Sequence, residues 1–98
     1  MDSKYKYYLL PEAAKDFREI YDYIKYDLYN ETAAENLSQK FKTALKNACK
    51  NPMIYPAYKD YRRIVVDNYL VFFKIDEENK RIIVYHAKYG AMDYDRFL

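Results

Sequence analysis

Glycine is nearly absent from this 98-residue chain, which contains one Gly, three Pro, one Cys and no Trp. Few positions are therefore free to adopt positive φ, and we expect regular elements joined by short, stiff turns. The single Cys49 excludes an intramolecular disulfide and the usual cysteine-based zinc sites, which is typical of a reducing compartment. No apolar run approaches the roughly 20 residues that span a bilayer, and the amino terminus lacks a signal-peptide core. We therefore expect a cytoplasmic protein with no membrane partner.

Tyrosine, by contrast, is abundant, with 14 residues, and hydrophobic residues make up 51% of the chain. A charged fraction of 33% beside that apolar content is typical of one folded domain, which we place at residues 1–98. The formal net charge is only +2, so nucleic-acid binding would need a local basic patch. We expect no metal ion and no cofactor.

Two helices are predicted after a short strand at 4–10. Pro11 suits the first helical turn, and Asn30 can cap the second helix, which Asn51-Pro52 should end. Each helix carries an apolar stripe at steps of three and four residues. The stripes are Ala13, Phe17, Ile20, Ile24 and Leu28 in the first helix, then Ala34, Leu37, Phe41, Leu45 and Ala48 in the second.

Three strands are predicted in the second half, after a loop at 51–60. They cover 61–66, 69–75 and 81–87, with a two-residue hairpin turn at Asp67-Asn68 and a polar turn at 76–80. The sum is an α+β domain of order β-α-α-β-β-β, in which an antiparallel sheet is packed on one face by the N-terminal helical hairpin. The other face is left to solvent or a partner, and function is expected there.

Several fragments, taken in order, resemble the ParE/RelE toxins of bacterial type II toxin–antitoxin systems. They are PEAAKDFREIYDYI at 11–24, NETAAENL at 30–37, Asn51-Pro52, YRRIVVDNYLVFFKID at 61–76 and RIIVYHAKYGAMDY at 81–94. The resemblance covers roughly residues 4–94. It implies a toxin that a cognate antitoxin neutralises, with DNA contact mainly through the antitoxin. ParE-like members poison DNA gyrase, whereas RelE-like members cleave mRNA on the ribosome, and the fold does not choose between these targets.

Metal-free RNA cleavage needs a base, an acid and fixed positive charge at the phosphate. If the chain is a nuclease, the catalytic candidates are Arg63, His86 and Tyr94. Further candidates for contact with nucleic acid or target are Lys59, Arg62, Lys88, Tyr89 and Arg96. Adjacent residues of a strand point to opposite faces, so one residue of the Arg62-Arg63 pair should lie on the open face. Structural roles compete, because a strand arginine is more often a salt-bridge partner and a lone histidine more often a hydrogen-bonded structural residue.

Two departures favour gyrase over the ribosome. RNA-cleaving relatives have an Arg after the aromatic that opens the second strand of the three-stranded meander, where this chain has Leu70. They also have a basic pair after the carboxyl-terminal Gly, where this chain has Ala91-Met92. A gyrase poison is therefore predicted, with a ribosome-dependent mRNA endonuclease and a non-toxic peptide-binding module as the alternatives. The surplus of tyrosines predicts that the antitoxin binds along the helical hairpin and the sheet rim.

Overall fold

A short strand, two helices and a run of four strands make up the part of the chain that the computed structural model describes, residues 4–91, 96 and 98. The α+β architecture expected from the sequence is confirmed, and one short strand is added within the loop expected at 51–60. No helix among these residues has the length and apolar character needed to cross a membrane. The elements are β1 Lys6–Leu9, α1 Pro11–Asp22, α2 Glu31–Lys50, β2 Ala57–Tyr58, β3 Tyr61–Val66, β4 Tyr69–Asp76 and β5 Arg81–Tyr89.

The helices begin and end where local chemistry predicts. α1 starts at Pro11, whose missing N–H would be unpaired there in any case. α2 is capped by Asn30, whose Oδ1 accepts the N–H of Ala33 at 3.0 Å, and it ends at Lys50. A 3₁₀ turn, Pro52–Ile54, then leads out of the helix. The predicted stripe of α2 is buried throughout, so its position in the core is confirmed.

The first helix does not continue as far as its stripe predicted. A π-helical turn at Tyr23–Asp27 follows α1, and the N–H of Leu28 donates to the carbonyl of Tyr23 at 3.1 Å. Leu28 is 54% exposed, so its assignment to the buried stripe was wrong. The wider π spacing shifts the side chains around the helix axis, so the apolar period of α1 is not continued beyond the buried Ile24.

The sheet has the strand order β1-β5-β4-β3-β2. The meander of β3, β4 and β5 is antiparallel as predicted, and the two-residue turn places Asp67 at φ 52°. β1, however, pairs with β5 in parallel, with Lys6 opposite Arg81 and Leu9 opposite Val84. The sheet is therefore mostly, not wholly, antiparallel, because the helical hairpin returns the chain so that β1 lies beside the last strand.

The helical hairpin covers one face of the sheet, and the core lies between them. Val71, Phe73, Ile82 and Val84 face the helices and are almost fully buried. Phe72 is also fully buried, although its neighbours in β4 place it on the opposite face. That face, named the open face below, is therefore less exposed than predicted, because tyrosines cover its centre.

Candidate functional site

An aromatic cluster covers the centre of the open face. Tyr58 and Tyr61 lie over Phe72, with ring centroids 5.9 and 6.2 Å away. Tyr61 also contacts Tyr85 at 5.3 Å and His86 at 6.3 Å. Both β5 residues reach the same ring because the β4–β5 register shifts at Phe72/Phe73, which leaves Tyr85 without a pairing partner. The cluster combines flat apolar surface with phenol groups, a composition suited to stacking on a partner.

Cations surround this cluster. The ammonium of Lys74 lies 4.9 Å from the ring centre of Tyr61 and 5.0 Å from that of Tyr85. Lys59, in the left-handed backbone region at φ 55°, places its ammonium 6.0 Å from the Tyr58 ring. Arg63 pairs in register with Phe72, and its Nε is buried with no hydrogen-bond partner in the described part of the chain. The positive charge on this face is thus arranged around aromatic rings.

Arg62 and Arg63 lie on opposite faces of the sheet, as strand alternation predicted. Arg62 is on the face that the helices cover, not on the open face. Its Nη1 donates to the carbonyl oxygens of Tyr55 at 2.8 Å and Met53 at 3.3 Å. These carbonyls belong to the segment between α2 and β2. Arg62 therefore fixes that segment against β3.

Asp16 of α1 lies at the edge of β5, beyond the point where β1 ends. Its Oδ2 accepts the N–H of Ala87 at 3.1 Å, and its Oδ1 accepts from the Lys88 ammonium at 3.1 Å. The Nδ1 of His86 is 3.8 Å from the same carboxylate. The side chains of Asp16, His86 and Lys88 are only 11%, 12% and 16% exposed. Asp16 was not singled out from the sequence. Its position beside the apolar stripe of α1, next to Phe17, could have indicated a carboxylate that lies near the sheet.

The expected phosphate-binding position at Leu70 is apolar and has an apolar neighbour. Leu70 pairs with Val65 of β3 on one side and with Lys88 of β5 on the other. Lys88 is held by Asp16, so its charge is already matched by a carboxylate. Ala91 is exposed, and Met92 lies outside the described residues.

Of the remaining predicted residues, Tyr89 packs against an aromatic ring outside the cluster. Tyr89 packs edge-on against Tyr69 with centroids 5.6 Å apart, and burial raises the pKa of the Tyr69 phenol, with the nearby Tyr89 adding to it. Arg96 is exposed, and Tyr94 lies outside the described residues. The structure thus brings Arg63 and His86 to either side of Phe72, and separates Arg62 from them.

A second feature is an apolar cleft of about 190 Å³ between α1, α2 and β1. Tyr7 and Leu9 line it from β1, and Ser38 and Lys42 are its polar members on α2. The phenol of Tyr21, also in the lining, donates a hydrogen bond to Glu35, which raises the Tyr21 pKa. The apolar lining residues are Tyr7, Leu9, Ala14, Phe17, Ile20, Tyr21, Ala34, Leu37, Phe41 and Leu45.

Comparison with solved structures supports the fold. The chromosomal ParDE toxin–antitoxin system of P. aeruginosa has a chain that matches with a TM-score of 0.73 at 16% identity, covering 88% of this chain and 96% of that one. The RelBE2 complex of Mycobacterium tuberculosis matches with a TM-score of 0.63 at 10% identity, covering 88% and 98%. The intact RelBE complex of E. coli matches with a TM-score of 0.58 at 17% identity, covering 90% and 99%.

The sequence itself matches one family model. Comparison with curated protein sequences finds no match. The model that describes the ParE toxin of the type II toxin–antitoxin system, parDE, matches residues 7–94, which include both helices, strands β2 to β5 and all of β1 except Lys6. Because the match spans nearly the whole chain, the chain belongs to the ParE toxin family of type II toxin–antitoxin systems.

Proposed function

We propose that this toxin arrests growth by binding DNA gyrase, and that a cognate antitoxin neutralises it. The observation that carries the proposal is that two of the cations expected to contact RNA are engaged within the fold. Lys88 is paired with Asp16, and Arg62 donates to two backbone carbonyls. Poisoning by binding needs no catalytic residue, so the ParE-like activity is compatible with a fold in which these two charges are already engaged.

The RNA-cleaving alternative has one observation in its favour. Arg63 and His86 both pair with Phe72, so a guanidinium and an imidazole occupy one row across the open face. Their strands are two sheet spacings apart, about 10 Å, and the aromatic ring lies between them. In a nuclease, the general base and the phosphate-binding cation must both approach the same nucleotide to within about 3 Å of the reacting atoms. A separation of two strands does not favour that arrangement.

Expression of the chain without antitoxin tests the proposal. The rates of DNA and protein synthesis are measured by pulse labelling in the minutes after induction. A gyrase poison should stop DNA synthesis first and induce the SOS response. Early loss of protein synthesis with cut mRNA would show that the target is the ribosome and not gyrase. Growth without arrest would favour the non-toxic binding module.

We further propose that the antitoxin fills the apolar cleft between α1, α2 and β1. The cleft combines apolar side chains with the outer edge of β1, where an extended segment can pair and insert a side chain. The similar RelBE2 structure of Mycobacterium tuberculosis and the RelBE structure of E. coli are toxin–antitoxin complexes, which supports a bound antitoxin here.

Filling the cleft should release the antitoxin. Ser38→Trp places an indole in the cleft, whereas Gln39→Trp places the same group on the adjacent exposed position of α2. We expect Ser38→Trp to weaken antitoxin binding about tenfold or more, and Gln39→Trp to leave it within about twofold. The measurement is co-purification at low and high salt followed by titration. Equal binding by both variants, or complete loss of the wild-type complex in moderate salt, would place the antitoxin elsewhere.

A further inference from the structure

The end of the helical hairpin exposes large apolar side chains. The hairpin tip, defined as Tyr23, Tyr26, Leu28 and Tyr29, has side chains between 51% and 90% exposed. Tyr23 and Leu28 also line, together with Tyr89, a cleft of about 640 Å³ at the end of β5. The apolar surface therefore continues from the tip to the sheet. A contiguous patch of this kind usually marks an interaction site.

The backbone of the tip is held in a defined shape. The N–H of Leu28 donates to the carbonyl of Tyr23, and that of Asn30 donates to the carbonyl of Ile24, each at 3.1 Å. Tyr29 adopts φ 53°, a left-handed conformation that is unfavourable for a tyrosine, and it is the most exposed of the tip residues. An ordered loop presents its aromatic rings to a partner at a smaller entropic cost than a loose one.

The charge of this region is opposite to that of the rest of the chain. Residues 11–35 contain seven Asp and Glu against three Lys and Arg, whereas the remaining residues contain eight against fourteen. Lys25 is paired with Glu31 at 3.5 Å, and within the described part of the chain no ion pair engages Asp22 or Asp27. The tip therefore joins aromatic surface to uncompensated negative charge, a combination that repels phosphate and complements Arg and Lys.

We propose that the hairpin tip docks the toxin onto its target, and that the target presents there a basic protein surface of the kind that itself binds nucleic acid. Arg and Lys side chains of such a surface stack on Tyr29 while they pair with Asp22 and Asp27. Tyr26, whose ring centre lies 5.2 Å from the toxin's own Lys25 ammonium, adds apolar contact. This inference rests on the proposed function in assuming a macromolecular target, but it does not depend on that target being gyrase. None of the residues that line the antitoxin cleft belongs to the tip, so the two partners have separate surfaces.

Two tip variants and two matched controls test the inference. Tyr26→Ser/Tyr29→Ser removes the rings, and Asp22→Lys/Asp27→Lys reverses the charge. Val65→Ser removes an exposed apolar side chain from the open face, and Glu78→Lys reverses an exposed charge in the β4–β5 turn. Each full-length chain is purified with its antitoxin, which checks the fold, and is then released. Its binding to purified gyrase and to purified ribosomes is measured by interferometry at two salt concentrations.

We expect both tip variants to bind the target about tenfold or more weakly than wild type, and the controls to bind within about twofold. Charge reversal should also remove most of the salt dependence of binding. Wild type that binds ribosomes and not gyrase, with the tip effect retained, would overturn the gyrase proposal and support the tip. Any of three outcomes would overturn the tip assignment. The tip variants could bind the target as tightly as wild type, they could fail to bind the antitoxin, or wild type could bind neither target.

Discussion

Asp16 belongs to α1, but its carboxylate acts on β5. It occupies the place that a longer β1 would have filled, because the N–H of Leu10 donates to Val84 at 3.0 Å and the chain then turns into the helix. The next outward-facing N–H of β5, that of Ala87, finds its acceptor in Asp16. The Asp16 carboxylate thus accepts the backbone N–H that the edge of β5 would leave unpaired, and it also neutralises the charge of Lys88.

Removing this carboxylate should destabilise the fold. Asp16→Ala leaves the Ala87 N–H without its acceptor and the Lys88 ammonium without its counter-charge, and we expect a loss of about 2–4 kcal/mol in the free energy of unfolding. Glu19→Ala is the control, since the Lys15–Glu19 pair on the same helix is 3.8 Å long and well exposed, and we expect a loss below about 0.5 kcal/mol. The measurement is urea denaturation of both variants. Equal losses would show that the edge contact contributes nothing beyond surface charge.

At the scale of the elements, the turn between β4 and β5 is held by carboxylates. Asp76 accepts hydrogen bonds from Asn79 at 2.9 Å and from the Arg81 Nε at 2.9 Å, and these contacts lower its pKa. Glu77 accepts from the phenol of Tyr5, which lowers the Glu77 pKa, and its pairing with Lys80 adds to this effect. The Glu77 contact also joins the turn to the segment that enters β1.

These lowered pKa values predict a loss of stability in acid. A carboxyl group with a lower pKa in the folded than in the unfolded chain binds fewer protons when folded, so it stabilises the fold above its ordinary pKa of about 4. We expect the free energy of unfolding to fall as the pH decreases from about 5 through the lowered pKa values. Asp76→Asn/Glu77→Gln should flatten this decrease, whereas Glu78→Gln in the same turn should not. A variant whose pH dependence matches that of wild type would exclude the turn as its source.

Elements set by neighbouring residues were predictable from the sequence, and long-range pairings were not. Asn30 and Pro52 bound α2 through contacts within a few residues, and Asp67-Asn68 fits a two-residue turn. The parallel pairing of β1 with β5 joins residues about 75 positions apart and depends on how the whole hairpin packs. The π turn was also missed, because a regular apolar period continues through it in the sequence.

The site was predictable to the same extent. Alternation along β3 correctly separated Arg62 from Arg63, since it is a property of the strand alone. The pairing of Lys88 with Asp16 joins positions 72 residues apart, and only the folded chain brings them together. The sequence therefore identified Arg63 and Lys88 but not Lys74, and it did not indicate which cations the fold had already engaged.

At the scale of the whole molecule, three surfaces on different elements divide the contacts. The open face carries aromatic rings and cations, the cleft between the helices and β1 is apolar, and the hairpin tip is aromatic and acidic. A small net charge of +2 conceals this division, because residues 11–35 are net negative and the remaining residues net positive. If the cleft binds the antitoxin and the tip binds the target, as proposed, substitutions on the two surfaces should disturb the two partners independently.

This division leads to a prediction about growth arrest. If the toxin acts by binding, then Arg63→Met and His86→Gln, which keep most of each side-chain volume, should leave growth arrest within about twofold of wild type, singly and together. A nuclease would instead lose about a hundredfold or more of its activity when its general base is removed.

The measurement is viable count after induction, with thermal melting to check folding and primer extension on induced mRNA to detect cleavage. Folded variants that no longer arrest growth, together with cleavage sites present only with wild type, would make the row across Phe72 a catalytic site. Growth arrest in wild type and in all three variants, with no cleavage of mRNA in any of them, would leave binding as the source of toxicity.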